Sequence, residues 1–365
     1  MLLFLVLSNA SFSQVVRKYS NDFLEIGVGA RGLGMSNAQV ATANDVYASY
    51  YNPAGLINIP NTFQIGFMHN EYFAGIAKYD YLTVAVPIKP KKQVIAFSFY
   101  RFGIDDIPNT LFLIQPDGSI NYNNITSFSS ADYAFMLHYA NALPIPGLSI
   151  GGSAKIIYRQ IGSFAKAYGF GIDAAVQYQV KNWHVGVMAQ DISSTFDAWH
   201  MSFTDAEKQI LLQTNNELPS NSLEVTTPLI TVGGAYEGFV VNTAKQKFSI
   251  RPEVDLGFTT DGKRNVLLSA NPISMDLRAG LELKYTPAKD IDLILRGGAG
   301  NLQRATNETG KQTFIVSPSI GAGIHIKIVS IDYALTNLTT ISSGGAGLYS
   351  NVISVRVDIN KKQKE

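Results

Sequence analysis

Most of the chain after residue 61 consists of long runs in which apolar residues alternate with small, polar or charged ones. In residues 275–286, for example, Leu277 and Leu281 alternate with Arg278 and Glu282. A period of two indicates β-strands, because successive side chains of a strand point to opposite faces of the sheet. The runs reach the roughly 9 to 11 residues that cross a bilayer, whereas an average strand has about five or six. They predict a transmembrane β-barrel with a lipid-facing exterior and a polar lumen.

Fourteen such strands are predicted, and an even number is usual for single-chain bacterial barrels. They cover residues 62–70, 76–88, 93–106, 130–142, 148–162, 168–181, 183–192, 228–241, 247–260, 275–286, 291–302, 312–327, 329–338 and 348–359. Short connections alternate with longer ones, which are 107–129, 193–227, 261–274, 303–311 and 339–347. Short periplasmic turns and long extracellular loops are typical of outer-membrane barrels, so both termini are expected in the periplasm. The predicted fold is an all-β, fourteen-stranded antiparallel barrel.

The longest predicted loop, residues 193–227, contains a helix signal. Thr204 is followed three residues later by Glu207, which is the spacing of a capping box, so a short helix is expected to begin there. Such a loop can pack its own small core over the barrel mouth or bind a partner, and the sequence leaves both alternatives open.

The composition favours a membrane protein and excludes several kinds of site. Charged residues make up 16% of the 365, against about 25% in an average soluble protein. Composition alone leaves a large soluble β-sandwich or β-helix open. Because the chain has no cysteine, disulfides, thiolate metal sites and a lipidated cysteine anchor are excluded. A net charge of +1 gives no reason to expect a nucleic-acid partner.

The first residues have the features of an export signal. Leu2 to Leu7 are apolar, and Ser11-Phe12-Ser13 resembles a small-x-small cleavage site. Residues 1–13 are therefore predicted to be a signal peptide, and a buried N-terminal strand is the alternative. The barrel is expected over residues 61–359 and a periplasmic tail over residues 360–365.

Residues 21–60 differ from the strands that follow, because they are rich in glycine and alanine. Residues 27–32 match G-x-G-x-x-G, but no strand–helix crossover surrounds them, so a dinucleotide site is rejected. Glycine there favours tight backbone packing in a narrow space. At the end of the segment, Asn52-Pro53-Ala54-Gly55 predicts a turn, since proline stops a helix and glycine lets the chain reverse towards the barrel wall.

Three stretches, 23–35, 43–46 and 50–56, together resemble the N-terminal signature of the PorV/PorQ family of outer-membrane barrels of Bacteroidetes. The Asn-Pro-Ala element also resembles the hatch segment of the wider FadL-like family of fourteen-stranded barrels. The resemblance implies that residues 14–60 fold as a plug inside the barrel. The plug motif that it carries over consists of Gly27, Gly29, Arg31, Gly32, Gly34, Asp45, Asn52, Pro53, Ala54 and Gly55. Tyr51 stands where these proteins more often have tryptophan.

Two functions follow from the resemblance. The PorV/PorQ pattern implies a non-enzymatic outer-membrane component of type IX protein secretion that binds or shuttles secreted proteins or partners the translocation channel. Its expected partners are outer-membrane lipid and, through the extracellular loops, secreted clients or secretion machinery. The FadL-like pattern implies instead a transporter of hydrophobic small molecules, with an apolar pocket and a gap in the wall. Glycine pairs inside strands, Gly233-Gly234 and Gly297-Gly298, are interpreted as kinks of the wall in either case.

Charged residues of both signs fall on the inward face of the predicted strands. The candidate luminal charge network consists of Lys155, Arg159, Asp173, Arg251, Glu253, Asp255, Arg278, Glu282 and Arg296. Opposite charges on facing strands suit ion pairs that hold a plug, and a solvated interior is the other explanation. If these charges hold a plug, we expect Arg31 to contact an acidic group of the lumen and Asp45 a basic one.

No catalytic, metal or cofactor site is predicted. The five histidines lack metal-site spacing, and no nucleophile-elbow motif occurs. Ser153 and His138 fall on neighbouring predicted strands, but we do not expect an enzymatic site there. Aromatic residues near strand ends, among them Tyr79, Tyr81 and Tyr100, are assigned to interfacial girdles.

Overall fold

The computed structural model describes residues 20–60, 62–72, 75–115, 117–213, 217–243, 246–306, 310–336 and 349–360. The predicted signal peptide, residues 14–19 of the predicted plug and the tail beyond Asn360 lie outside these residues.

The described strands form one closed antiparallel sheet, because β1 pairs with both β2 and β17. The segments are β1 (Thr62–Tyr72), β2 (Ala77–Lys89), β3 (Gln93–Asn109), β4 (Thr126–Ala142), β5 (Leu148–Ile161), β6 (Ala165–Val180), β7 (Trp183–Gln190), β8 (Thr195–Met201), β9 (Ser222–Thr226), β10 (Leu229–Tyr236), β11 (Gly238–Asn242), β12 (Lys247–Thr259), β13 (Ser274–Ala288), β14 (Ile291–Thr306), β15 (Gln312–Ile326), β16 (Val329–Thr336) and β17 (Ser350–Asn360). β7 and β8 both pair with β6 and together make one strand of the wall. β9, β10 and β11 likewise make one strand, so the barrel has fourteen strands and the prediction is confirmed.

The period of two in the sequence sorts side chains between the two faces of the wall. In β6, Tyr168, Phe170 and Ile172 are exposed on the outside, whereas Ala167 and Asp173 are buried on the inside. The same division holds in β2, where Leu82 is exposed between the buried Tyr81 and Thr83. An apolar exterior around a polar interior is the arrangement of a barrel that lies in lipid.

Part of the segment 193–227, which is predicted as one loop, belongs to the wall of the barrel. β8 and β9 extend the strands on either side of it, so the connection itself runs from Ser202 to Asn221. These two strands have seven and five residues, too few for their alternation to be recognised beside an obvious loop. The helix α1 (Asp205–Gln213) is present as predicted. The backbone N–H of Thr204 donates to Glu207 Oε2 at 2.7 Å, and that of Glu207 donates to Thr204 Oγ1 at 3.3 Å.

Residues 20–60 lie inside the barrel. Short helical turns at Asp22–Leu24, Ala30–Leu33, Ala48–Tyr51 and Pro53–Asn58 are joined by irregular chain. Most of these residues are buried, and their apolar side chains share one core with inward residues of the wall. We call residues 20–60 the plug. Within the part of the chain that is described, no helix is long and apolar enough to cross a membrane.

Three tyrosines assigned to interfacial girdles lie elsewhere. Tyr79, Tyr81 and Tyr100 are completely buried in the lumen. Their place in the alternation points them inwards, next to Tyr50 and Tyr47 of the plug, with ring centroids 6.2 Å apart for Tyr50–Tyr100 and 6.0 Å for Tyr47–Tyr81. The prediction was wrong because it used nearness to a strand end and ignored the direction of the side chain.

Candidate functional site

The glycines of the plug allow close approach and turns that other residues do not. Gly27 and Gly29 have φ of +101° and +71°, a region that L side chains rarely adopt. A side chain at Gly32 would overlap the Tyr51 hydroxyl. A Cβ on Gly34 would lie 3.1 Å from the Cα of Gly321 in β15, so the two backbones are in direct contact there.

The Asn-Pro-Ala-Gly turn holds the end of the plug against the wall. Asn52 Nδ2 donates to the carbonyl oxygens of Val40 at 2.9 Å and Val176 at 3.0 Å, and its Oδ1 accepts from the N–H of Ala54 at 3.1 Å. Pro53 is the first residue of the 3₁₀ turn that Asn52 caps. A Cβ on Gly55 would overlap the carbonyl oxygen of Ala43. The turn therefore contacts other parts of the plug and also connects the plug to strand β6 through a hydrogen bond.

Glycines of the wall allow the plug backbone to contact the strands directly, and we call these glycines seats. A Cβ at Gly151 would overlap Ala54, one at Gly186 would overlap Val40, and one at Gly298 would overlap Met35. These seats were not recognised from the sequence, where glycine pairs were interpreted as kinks. The signal was present, however, because each seat occupies an inward position of its strand.

Two buried carboxylates of β12 bind the backbone of the plug. Asp255 Oδ2 accepts from the N–H groups of Gln39 at 2.9 Å and Val40 at 3.0 Å. Glu253 Oε1 accepts from the N–H groups of Ala41 at 2.8 Å and Thr42 at 3.2 Å. The Thr42 hydroxyl also donates to Glu253. Four consecutive N–H groups of an irregular segment thus obtain the acceptors that a buried backbone requires.

Arg31 and Asp45 connect the plug to charged residues of the wall. Arg31 Nε lies 3.1 Å from Glu282 Oε2 in β13, and Asp45 Oδ2 lies 3.0 Å from Arg356 Nη1 in β17. Glu282 also pairs with Arg251 and, at 2.8 Å, with Arg296. Three guanidinium groups therefore surround one carboxylate. These contacts have the signs that we expected for Arg31 and Asp45.

The rest of the predicted charge network divides into separate groups. Lys155 Nζ lies 2.9 Å from Asp173 and 2.5 Å from Asp191, where residues 191–194 interrupt the strand between β7 and β8. Two further predicted members are paired with carboxylates outside the predicted network. Arg159 Nε lies 2.8 Å from Asp132, and Arg278 Nε lies 3.1 Å from Asp276. The structure brings Arg251, Glu282 and Arg296 together, and among the described residues no ion pair joins the other predicted members to these three.

Cavities lie on both sides of the plug along the barrel axis, a larger one on one side and a smaller one on the other. The larger, of about 500 Å³, opens among the ends of β12–β16 on the side of the long connections, and Asp22, Glu25 and Leu33 of the plug contribute to its floor. We call it the loop-side cavity. Burial, with a contribution from the neighbouring Glu25 carboxylate, raises the pKa of Asp22 in this cavity to about 6. The smaller, of about 310 Å³, lies beyond Arg31 and Asp45 at the end where β1 begins and β17 ends.

The described residues contain no group of three or more His, Asp or Glu placed to hold a metal ion. Ser153 Oγ and Ser98 Oγ each lie 2.7 Å from a ring nitrogen of His138, and the ring is completely buried in the lumen wall. Both ring nitrogens are therefore engaged with serine, and neither contacts a carboxylate. Among the described residues, this arrangement therefore lacks the carboxylate that orients the ring in a Ser-His-Asp triad.

Similar architectures are found among solved outer-membrane channels. A Pseudomonas aeruginosa FadL homologue matches 91% of this chain and 98% of its own, with a TM-score of 0.52 and 10% identity. The P. putida toluene transporter TodX matches 92% and 99%, with a TM-score of 0.51 and 12% identity. The Ralstonia pickettii toluene transporter TbuX matches 91% and 98%, with a TM-score of 0.50 and 13% identity. The chain has the fold of these barrels.

At this level of identity the likeness shows the fold alone. No family model matches the sequence. No curated protein matches it either. The more specific expectation of a PorV/PorQ-type protein receives no support from the comparisons.

Proposed function

We propose that the protein is an outer-membrane transporter of the FadL-like kind, which takes a small molecule from the loop side into the barrel. The observation that carries this proposal is the loop-side cavity of about 500 Å³, which lies directly above the plug inside a barrel with the fold of known hydrocarbon channels. The proposal includes a periplasmic position for the end where β1 begins and β17 ends. It replaces type IX secretion as the favoured function.

Passage along the barrel axis from one cavity to the other requires the plug to move, because the plug lies between them. Ser36 of the plug and Ser319 of β15 offer a way to prevent that movement, since their Oγ atoms are 2.8 Å apart. The chain has no cysteine of its own, so a Ser36→Cys/Ser319→Cys variant can form a reversible disulfide between plug and wall.

The test is solute uptake by proteoliposomes that contain the full chain, with toluene and small polar solutes as probes. The double-cysteine variant should lose uptake when oxidised and regain it with reductant, whereas each single-cysteine variant should behave like the unmodified protein under both conditions. No uptake of any probe by the unmodified protein would contradict the proposal. Unchanged uptake by the oxidised variant would show that the path avoids the plug.

A closed barrel that binds a protein partner is the second candidate. It is favoured by the number of directional contacts that hold the plug, including Arg31–Glu282, Asp45–Arg356 and the four N–H groups bound by β12. A barrel that stays closed in the uptake assay and co-purifies with secreted proteins or a translocation channel in mild detergent would support this candidate over the transporter.

A further inference from the structure

We infer that the loop-side cavity binds a neutral, polyhydroxylated solute of sugar size and excludes hydrocarbons. This inference rests on the proposed function, because it names the class of molecule that the transporter would take. The cavity volume of about 500 Å³ falls within the roughly 300 to 1,000 Å³ of small-molecule sites. It is therefore large enough for a solute with several hydroxyl groups.

Half of the residues that line this cavity carry a hydroxyl or an amide group. Thr259, Ser317, Gln303 and Thr336 line it from four different strands, β12, β15, β14 and β16. Among the described residues, the Thr259 hydroxyl has no hydrogen-bond partner although it is buried. A hydrocarbon in the cavity would leave such groups without water and without a partner, which is unfavourable. A solute that carries hydroxyl groups would satisfy them.

The charged residues of the cavity favour a neutral solute over an anion. The lining contains three carboxylates, Asp22, Glu25 and Asp276, and two guanidinium groups, Arg264 and Arg278. The pairs Arg278–Asp276 and Arg264–Asp261, at 3.1 Å and 2.8 Å, neutralise the cations. An added anion would therefore meet an excess of negative charge.

Paired charges still offer hydrogen bonds to a neutral ligand. Nε of Arg278 is the guanidinium atom that binds Asp276, which leaves its terminal nitrogens as donors, and the side chain is 23% exposed towards the cavity. The carboxylates of Asp22 and Glu25 supply acceptors on the plug side. Donors on the wall and acceptors on the plug match a ligand whose hydroxyl groups both donate and accept.

The experiment is titration calorimetry on the full chain in detergent with maltose, toluene and choline as separate probes. Maltose should bind and toluene should not. Thr259→Val and Gln303→Leu should each weaken maltose binding by about three- to tenfold, because each removes a hydrogen-bonding group of the cavity. Lys284→Gln is the matched control, since Lys284 lines the other cavity. It should leave maltose affinity unchanged.

Three results would overturn the inference: binding of toluene with no heat from maltose, binding of choline in place of maltose, or equal maltose affinity in all variants. Uptake by proteoliposomes is measured separately, so that the two proposals can fail independently. Maltose binding without uptake of any solute contradicts the transporter and supports the cavity assignment. Toluene uptake without maltose binding contradicts the cavity assignment and supports the transporter.

Discussion

The plug meets the barrel wall in two chemically different ways. Towards β2 and β3, it packs Tyr50 against Tyr100 and Tyr47 against Tyr81, rings that are buried in the lumen. Towards β12 and β13, its backbone and Arg31 bind carboxylates through short directional contacts. Apolar packing is non-directional, so we expect the carboxylate side to contribute more than the tyrosine side to the position of the plug.

The two sides should differ most in how they respond to loss of a single group. A buried charge that loses its partner is strongly unfavourable, whereas a buried apolar surface tolerates the loss of one hydroxyl. The carboxylate side should therefore be sensitive to conservative changes, and the tyrosine side should accept them.

The largest effect is expected for Glu282→Gln. Glu282 is shared by Arg31, Arg251 and Arg296, and two of these arginines have a further carboxylate partner, Asp45 for Arg31 and Asp332 for Arg296. Its neutralisation therefore leaves three guanidinium groups with two carboxylates inside the barrel. We expect a loss of about 3 to 5 kcal/mol in the free energy of unfolding, measured by urea titration of the barrel in micelles. Glu71→Gln is the control, since Glu71 is exposed on β1 and its loss should have little effect. Equal stability of the two variants would mean that Glu282 does not hold the plug.

A smaller effect is expected for Gly298→Val. A side chain at Gly298 would overlap the backbone of Met35 in the plug, and overpacking of this kind costs about 1 to 3 kcal/mol. The neighbouring Gly297 is the matched control, because a Cβ there meets nothing closer than 4.0 Å. Gly297→Val should be nearly neutral in the same urea titration. If both variants lose the same free energy of unfolding, the loss is caused by valine within the strand and not by overlap with the plug.

A third effect, smaller again, concerns a tyrosine hydroxyl of the wall that has a hydrogen-bond partner in the plug. Tyr81 Oη lies 2.6 Å from Ser49 Oγ of the plug. Tyr81→Phe should destabilise the barrel by about 0.5 to 1.5 kcal/mol, the usual contribution of one hydrogen bond. Ser49→Ala removes the same contact from the other side, so the double variant should lose little more than either single variant. Additive losses would show that the two hydroxyls act independently.

The sequence predicts the wall well because a period of two is a local property that each strand displays by itself. The same alternation explains why Glu282 and Arg296 could be placed in the lumen. The alternation also predicts that the side chain of Tyr79 points inwards, but the assignment of Tyr79 to an interfacial girdle did not use this information. Short strands such as β8 carry too few residues for this signal.

The contacts between plug and wall were harder to predict, because they depend on which part of an irregular segment reaches which strand. The signs of the Arg31 and Asp45 contacts follow from the charges of the lumen, but their partners Glu282 and Arg356 do not. The position of Gly186 in the alternation predicts that it faces inwards, but only the path of the plug shows that Val40 lies against it. Long-range contact of this kind has no local signature.

The smallest effect is expected for Tyr79→Phe, which tests the tyrosine side by itself. Tyr79 lies two residues before Tyr81 on the same face of β2 and is equally buried, but its hydroxyl has no partner among the described residues. Removal of a buried hydroxyl without a partner relieves a desolvation cost, so the stability should stay the same or rise slightly. The measurement is the same urea titration, with Tyr81→Phe as the matched comparison. A loss as large as that of Tyr81→Phe would mean that the Tyr79 hydroxyl is satisfied by bound water, and the tyrosine side would then be polar and directional like the carboxylate side.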